Sequence, residues 1–429
     1  MGTRHRTLLY QLALLFAPVA LRGQSPAPGD TLLARLTTEA LATSPSVLRG
    51  DALARAATAR VRPAGALPDP MVSVGVMDLT LPRFGFRESD FTEVDVEITQ
   101  QFPWPGMRGA QTGAARAMSA SAHEEVAALR RETTVRVAEL YYRLRYVVSA
   151  RTALAGQRTR LQGAVEIATT RYSTGSAPQT DPLQARTAVA RLGADDATLA
   201  AEEASLRADL KAVRGVSTGE QLVIAPLLPD SLPAILQEVD TEHAAHLAAV
   251  DPLADHPRLA ARRADVEASR ETARAEALSA RPDFEVSTRY GARPLGADFF
   301  SAFVGVRIPL WAGRKQRLTA EAANLDATAA QQRLNEERSM LGAELERTLA
   351  SARAGAARLH ILVDSVLPLA REGVDVALRS YGTGRGDFQS VLTAEETRYQ
   401  VEVETAGVAA EHLTHLVMLE QLLAPEVSR

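Results

Sequence analysis

The sequence predicts an α+β membrane protein made of two copies of one strand–strand–long helix–turn–helix unit. Three observations carry the prediction: landmarks that recur in the same order in both halves, heptad seams too long for a compact domain, and short segments in which apolar and polar residues alternate.

The repetition sets the domain organisation. Ser44-Pro45-Ser46-Val47-Leu48 opens a helical stretch that runs to Pro68-Asp69-Pro70, and His256-Pro257-Arg258-Leu259 opens another that runs to Pro282-Asp283. Two strand-like segments follow in each half. Each pair ends at a Pro/Gly break, Phe102-Pro103-Trp104-Pro105-Gly106 and Ile308-Pro309-Leu310-Trp311-Ala312-Gly313. A very long helix comes next, then a turn at Tyr172-Ser173-Thr174-Gly175 or Tyr381-Gly382-Thr383-Gly384, then a further long helix. Between halves the offset is 206 residues at Pro103 and Pro309, and 209 at Tyr172 and Tyr381. The expected units are residues 25–216 and 256–429. A connector, 217–255, carries Pro226, Pro229, Pro233 and Pro252.

In the first long helix Leu140, Val147, Leu154, Leu161 and Ala168 recur every seventh residue, with Val137, Leu144, Val165 and Tyr172 at the partner positions. Arg151 and Arg158 interrupt that seam. The second helix repeats the pattern with Leu345, Ala352, Leu359 and Val366, paired with Leu349, Ala356, Val363 and Ala370. Spacings of three and four make a narrow seam that favours supercoiled pairing. At 1.5 Å per residue the first helix is about 100 Å long. Pro368 is expected to bend the second helix or break one turn.

The strand segments, expected near 70–82, 91–103, 283–291 and 299–309, alternate with period two. Val94, Val96 and Ile98 lie between Glu93, Asp95, Glu97 and Thr99. Val304, Val306 and Ile308 lie between Phe303, Gly305 and Arg307. Phe284, Val286, Thr288 and Tyr290 alternate with Glu285, Ser287 and Arg289, and Val72, Val74 and Val76 share one face. Such alternation places one face in an apolar medium and the other in a polar one. A small sheet packed on a soluble helical body is the alternative, since alternation alone does not tell lipid from core. If the medium is lipid, Val94, Val96, Ile98, Val304, Val306 and Ile308 face it. Four strands cannot close a barrel, which needs about eight, so the lipid reading forces oligomerisation.

Export is expected from the N-terminus. Arg4 and Arg6 precede a short apolar run from Leu8 to Ala20, so residues 1–24 read as a signal peptide. The chain of 429 residues has no Cys, which excludes disulfides and a lipid-bearing Cys. Beyond the leader no apolar run is long enough for a membrane helix, leaving a barrel as the way to span a bilayer. A net charge of -4 argues against nucleic acid as a partner. Catalytic chemistry finds no support. His243, His246 and His256 fall in or beside the connector without the Cys or acid spacing of a metal site, and no Gly-rich lysine loop is present to bind nucleotide. The chain is thus expected to be neither an enzyme nor a cofactor carrier. An exported periplasmic coiled-coil adaptor remains as a second reading. It has no use for lipid-facing hairpins.

The duplicated plan, the Pro–Gly breaks, the Tyr-x-x-Gly turns and the stretch Phe388-Gln389-Ser390-Val391-Leu392-Thr393-Ala394-Glu395 together resemble the TolC-like outer-membrane efflux protein family. The resemblance covers nearly all of the mature chain. It implies a homotrimer in which each subunit gives four strands to a shared twelve-stranded outer-membrane β-barrel, continued by a periplasmic α-helical coiled-coil barrel. It further implies surrounding outer-membrane lipid, a periplasmic adaptor (membrane fusion) protein and an inner-membrane pump of RND or ABC type. The function implied is that of a passive exit duct in a tripartite efflux or secretion system. Gln100-Gln101-Phe102-Pro103-Trp104-Pro105-Gly106 is similar to the branch associated with heavy-metal cation efflux.

In that family aspartates just after the turns form rings at the closed tip of the tunnel. Here Ser390 and Thr393 stand where acids are expected, Asp387 lies three residues before Ser390, and Asp181 occupies the first-repeat position equivalent to Ser390. Asp181, Arg385 and Asp387 are therefore the candidate gate residues, at tips 172–181 and 381–387. Tyr172, Gly175, Tyr381 and Gly384 form the turns themselves. Helix capping is the alternative role for both aspartates.

Overall fold

The computed structural model describes residues 30–79, 85–87, 89–216, 222–227 and 252–423. The expected signal peptide, residues 80–82 of the first expected strand, His243 and His246 lie outside them. The first half runs α1 (Thr31–Thr43), α2 (Pro45–Ala64), β1 (Met71–Met77), β2 (Glu93–Phe102), α3 (Met107–Ser173) and α4 (Thr180–Arg214). The second runs α5 (Pro257–Leu278), β3 (Asp283–Ala292), β4 (Phe299–Arg307), α6 (Gln316–Ile361), a π-helical turn (Leu362–Val366), α7 (Leu367–Gly382) and α8 (Phe388–Leu423). Both halves open a helix with proline in its first turn, Pro45 of α2 and Pro257 of α5. There the missing N–H costs no hydrogen bond and the fixed φ suits a helix.

The four strands form one antiparallel sheet in the order β1-β2-β3-β4. β1 stops at Met77 because Asp78 takes φ of 55°, a conformation that Asp tolerates better than most residues. β4 ends at Arg307, so Ile308 lies just past the ladder rather than inside it. Pro309 follows, and it has no N–H to continue the pairing.

The helical body is long and thin. α3 has 67 residues, about 100 Å of helix. Its seam residues Leu140, Val147, Leu154, Leu161 and Ala168 are all buried. α3 packs on α4, α5 and α8 in turn. Small residues carry the α3–α5 contact: Ala110, Ala114 and Ala117 on one helix, Ala268, Ala273 and Ala275 on the other, are buried. Gly113 touches the same partner, and a Cβ there would meet Glu271 at 3.0 Å. At the interruption in the seam Arg151 reaches across to α4, pairing with Asp196 at 3.0 Å and Glu203 at 2.7 Å.

The second long helix departs from its expected seam. Leu345, Ala352 and Leu359 are buried, but the seam continues at Leu367, Val374 and Tyr381, one position later than a strict heptad from Leu359 to Val366. The π turn inserts that extra residue directly before Pro368. A wider turn moves the backbone away from the proline ring, so the helix neither breaks nor loses its buried stripe.

Within the connector, residues 222–227 are strapped along α3 and α4. Leu222, Ile224 and Leu227 are buried. Arg207 donates to the Leu222 carbonyl at 2.8 Å, and the Leu227 N–H donates to Ser149 Oγ at 2.7 Å.

Candidate functional site

The sheet has two chemically opposed faces. The register pairs Val74 with Val96 and Val96 with Tyr290, then Val286 with Val304 and Phe284 with Val306, so most apolar side chains of the four strands share one face, while Met71, Met77, Phe299 and Phe303 fall on the other. The apolar face is bare: Val74 is 70%, Val96 38% and Val304 77% exposed, with Ile98, Val306 and Ile308 also open. Val94 is half-buried. In water such a face would be a large unpartnered apolar patch, so it calls for an apolar surrounding. The opposite face is largely polar and internally paired. Glu97 accepts from Arg289 at 2.7 Å, Glu93 pairs with Arg293 at 3.2 Å, and Arg307 lies 3.5 Å from Glu285.

At the far end of the helices two turns of matching geometry meet. In the first, the Gly175 N–H donates to Tyr172 O at 3.0 Å and the Ser176 N–H to Arg171 O at 2.8 Å. In the second, the Gly384 N–H donates to Tyr381 O at 3.1 Å and the Arg385 N–H to Ser380 O at 2.9 Å. Gly175 and Gly384 have φ of 72° and 77°, so each helix ends in a left-handed cap that glycine takes without strain.

The two turns are tied together by side chains. The Tyr381 hydroxyl donates to Asp181 Oδ2 at 2.9 Å. Arg171 donates to the Tyr381 carbonyl and to Ser176 O, and its guanidinium lies 4.6 Å from the centre of the Tyr381 ring. Tyr381 itself is 2% exposed and packs edge-on against Phe388 at 5.1 Å. Burial, together with the bond to Asp181, pushes its phenol up to about 12, so it remains a donor at physiological pH. Tyr172, its counterpart in the first turn, is 44% exposed.

The two candidate aspartates have different surroundings. Asp387 caps α8: its Oδ1 accepts from the Ser390 N–H at 2.7 Å and from the Ser390 hydroxyl at 2.5 Å. These donors hold its carboxyl below the usual range. Asp181 lies in the first turn of α4 and spends an oxygen on the other repeat. Arg385 is exposed beside the second turn.

Sequence reasoning missed Arg171 and the pair above it. Glu395 of α8 is 1% exposed and takes a two-pronged contact from Arg160 Nε of α3, at 3.1 and 2.9 Å. Burial raises the Glu395 pKa, and Arg160 opposes that shift. Arg171 had a legible signal, a basic residue in the last turn before a glycine cap. The Glu395 pair had none, because its partners are 235 residues apart.

A model of the outer membrane efflux protein family matches residues 36–216 and 249–424, both halves of the chain. The chain belongs to the outer membrane efflux protein family. Solved channels of similar fold agree with that membership. CusC has a TM-score of 0.80 at 14% identity, covering 95% of this chain and 96% of that one. VceC of Vibrio cholerae has a TM-score of 0.76 at 18% identity, covering 92% and 97%. The open-state MtrE channel of Neisseria gonorrhoeae has 0.74 at 15%, covering 92% and 90%. No curated protein sequence matches the chain. As an outer membrane efflux protein the chain is a transport duct and not an enzyme. It resides in the outer membrane with a periplasmic helical extension. Among the described residues no helix is long and apolar enough to cross a membrane.

Proposed function

We propose that three copies of this chain form a closed twelve-stranded barrel, and that the tip formed by the two turns is its periplasmic gate. The observation that carries the proposal is the sheet: one largely apolar exposed face, one largely polar face with paired charges, and two unpaired edges, β1 and β4. A four-stranded sheet in lipid must pair those edges with other copies. The duct then conducts substrates delivered by a periplasmic adaptor and an inner-membrane pump, since the chain has no means of its own to drive transport. The cargo suggested by the Phe102–Gly106 segment is a heavy-metal cation, and CusC is among the structures of similar fold.

At the tip Arg171, Asp181 and Tyr381 hold the two repeats of one chain together, while exposed Arg385 is placed to bridge to a neighbouring chain. Opening separates the turns, with Gly382, Gly384 and Gly386 supplying backbone freedom. Single-channel conductance in planar bilayers tests the gate. Arg385→Ala and Asp387→Ala are expected to raise resting conductance, and Asp181→Asn to weaken cation preference. If all three conduct like the parent, the gate lies elsewhere.

A further inference from the structure

One contact made inside the chain has a counterpart that the chain cannot make with itself. At the first Pro/Gly break the Trp104 N–H donates to Asp283 Oδ1 at 3.0 Å, a charge-assisted bond. The Trp104 ring stacks on Phe284 with centroids 5.8 Å apart. The break that follows β2 is thereby fastened to the start of β3. The second half repeats the break after β4, with Leu310 in place of Trp104. The first half repeats the receiving segment before β1, with Pro68-Asp69-Pro70 in place of Pro282-Asp283-Phe284. These two groups lie at opposite edges of the sheet, three strand spacings or about 14 Å apart. Both are left open. Leu310 is 80% and Trp311 73% exposed. The Leu310 N–H reaches only Ile308 O of its own turn, at 3.0 Å. Asp69 is exposed, and its carboxylate has no hydrogen bond or ion pair among the described residues.

We propose that Asp69 of one chain clasps the second break of the next chain by accepting from its Leu310 N–H, and that this clasp sets the register in which β4 of one chain pairs with β1 of the other. This rests on the barrel reading above. The flanking strands match as the breaks do. Val72-Ser73 repeats Val286-Ser287 at the same 214-residue offset as Asp69 and Asp283, and Ile98 and Val304 each stand five residues before a proline, Pro103 or Pro309. Carried across by those offsets, the pair Gln100–Val286 becomes Val306–Val72, Ile98–Thr288 becomes Val304–Val74, and Val96–Tyr290 becomes Ala302–Val76. All three new pairs lie on the apolar face. A register one residue off would set the apolar face of β1 against the polar face of β4. Leu310 then lies beside Pro70, an apolar contact where Trp104 has Phe284. Such a head-to-tail contact closes a ring when its rotation closes.

Cysteine cross-linking of the full-length protein tests the clasp, with no native Cys to interfere. Directly opposed residues of antiparallel strands have Cα atoms about 4.5–5.5 Å apart, within disulfide reach, whereas diagonal neighbours at about 7–8 Å lie at or beyond its limit. Val74→Cys combined with Val304→Cys, oxidised in isolated outer membranes, is expected to run as a covalent trimer in a denaturing gel. Val74→Cys with Ala302→Cys, or with Val306→Cys, is expected to give severalfold less. Adding Asp69→Ala should lower the yield of the opposed pair relative to the shifted pairs severalfold. Asp69→Asn keeps an acceptor oxygen and should restore the parent ratio. Best cross-linking in a shifted pair overturns the proposal and leaves the barrel standing. A ratio that Asp69→Ala leaves unchanged overturns it too, as does a fall that Asp69→Asn does not restore. Failure of the barrel reading looks different: no pair would then join one chain to another.

Discussion

His256 shows how one side chain ties local geometry to the stability of the helical body. It caps α5, where its Nδ1 accepts from the Arg258 N–H at 3.3 Å. The ring is 6% exposed. Burial, aided by Arg131 and Arg258, lowers its pKa to about 4. In the unfolded chain His titrates near 6.5. The folded form thus binds the proton less readily, and the stability this contributes is complete above pH ~6.5 and lost as pH falls towards 4. Thermal unfolding of the detergent-solubilised protein should show a fall in Tm across that window. His256→Asn keeps a capping oxygen but cannot titrate, so it should flatten that part of the profile. An unchanged profile would show that His256 does not set the acid limb. The Glu395–Arg160 pair works in the other sense. A carboxyl with a raised pKa favours folding more at low pH than at high pH, so the two groups partly offset one another.

At the scale of elements, strand alternation and helix seams were the most legible features, because both are periodic in one chain segment. The alternation of Val94, Val96 and Ile98 with Glu93, Asp95 and Glu97 is enough to assign faces, and the ladder aligns them with β3 and β4. The shift of the second seam to Leu367, Val374 and Tyr381 was not legible. A single inserted residue is invisible to a heptad count, and Pro368 marks only where the disturbance falls. The tip contacts were also hidden, since Arg171 and Tyr381 meet across 210 residues. Asp181 and Asp387 both lie beside the turns, but only coordinates separate the cap from the cross-repeat bond. The face assignment carries its own test. Val96→Arg or Val304→Arg should hinder assembly by roughly 2–4 kcal/mol if the site is near the bilayer midplane. Glu97→Gln, on the polar face, should leave assembly intact. Folding yield in lipid vesicles is the readout, and equal tolerance at both faces would mean the faces are misassigned.

The whole molecule shows that one chain is not a finished structure. It exposes 26649 Å², whereas a compact monomer of its mass would expose about 16,000 Å². Part of the excess follows from the 67-residue α3, which one chain cannot surround. Unpartnered apolar faces add to it, those of the sheet and those of α6 and α7, where Leu325, Ile361 and Leu369 are exposed. Duplication suits the proposed trimer to cover them. Two similar halves make each chain present nearly the same pair of surfaces twice, so contacts made within a chain can be repeated between chains around one axis. In the proposed trimer lipid covers the outward face of the sheet, and copies of the chain cover its edges and the bare helix faces. The most direct test of this account is the mass of the native assembly extracted from outer membranes in mild detergent. The account predicts three chains in one particle. Recovery of the protein as a soluble monomer from the periplasm would contradict it.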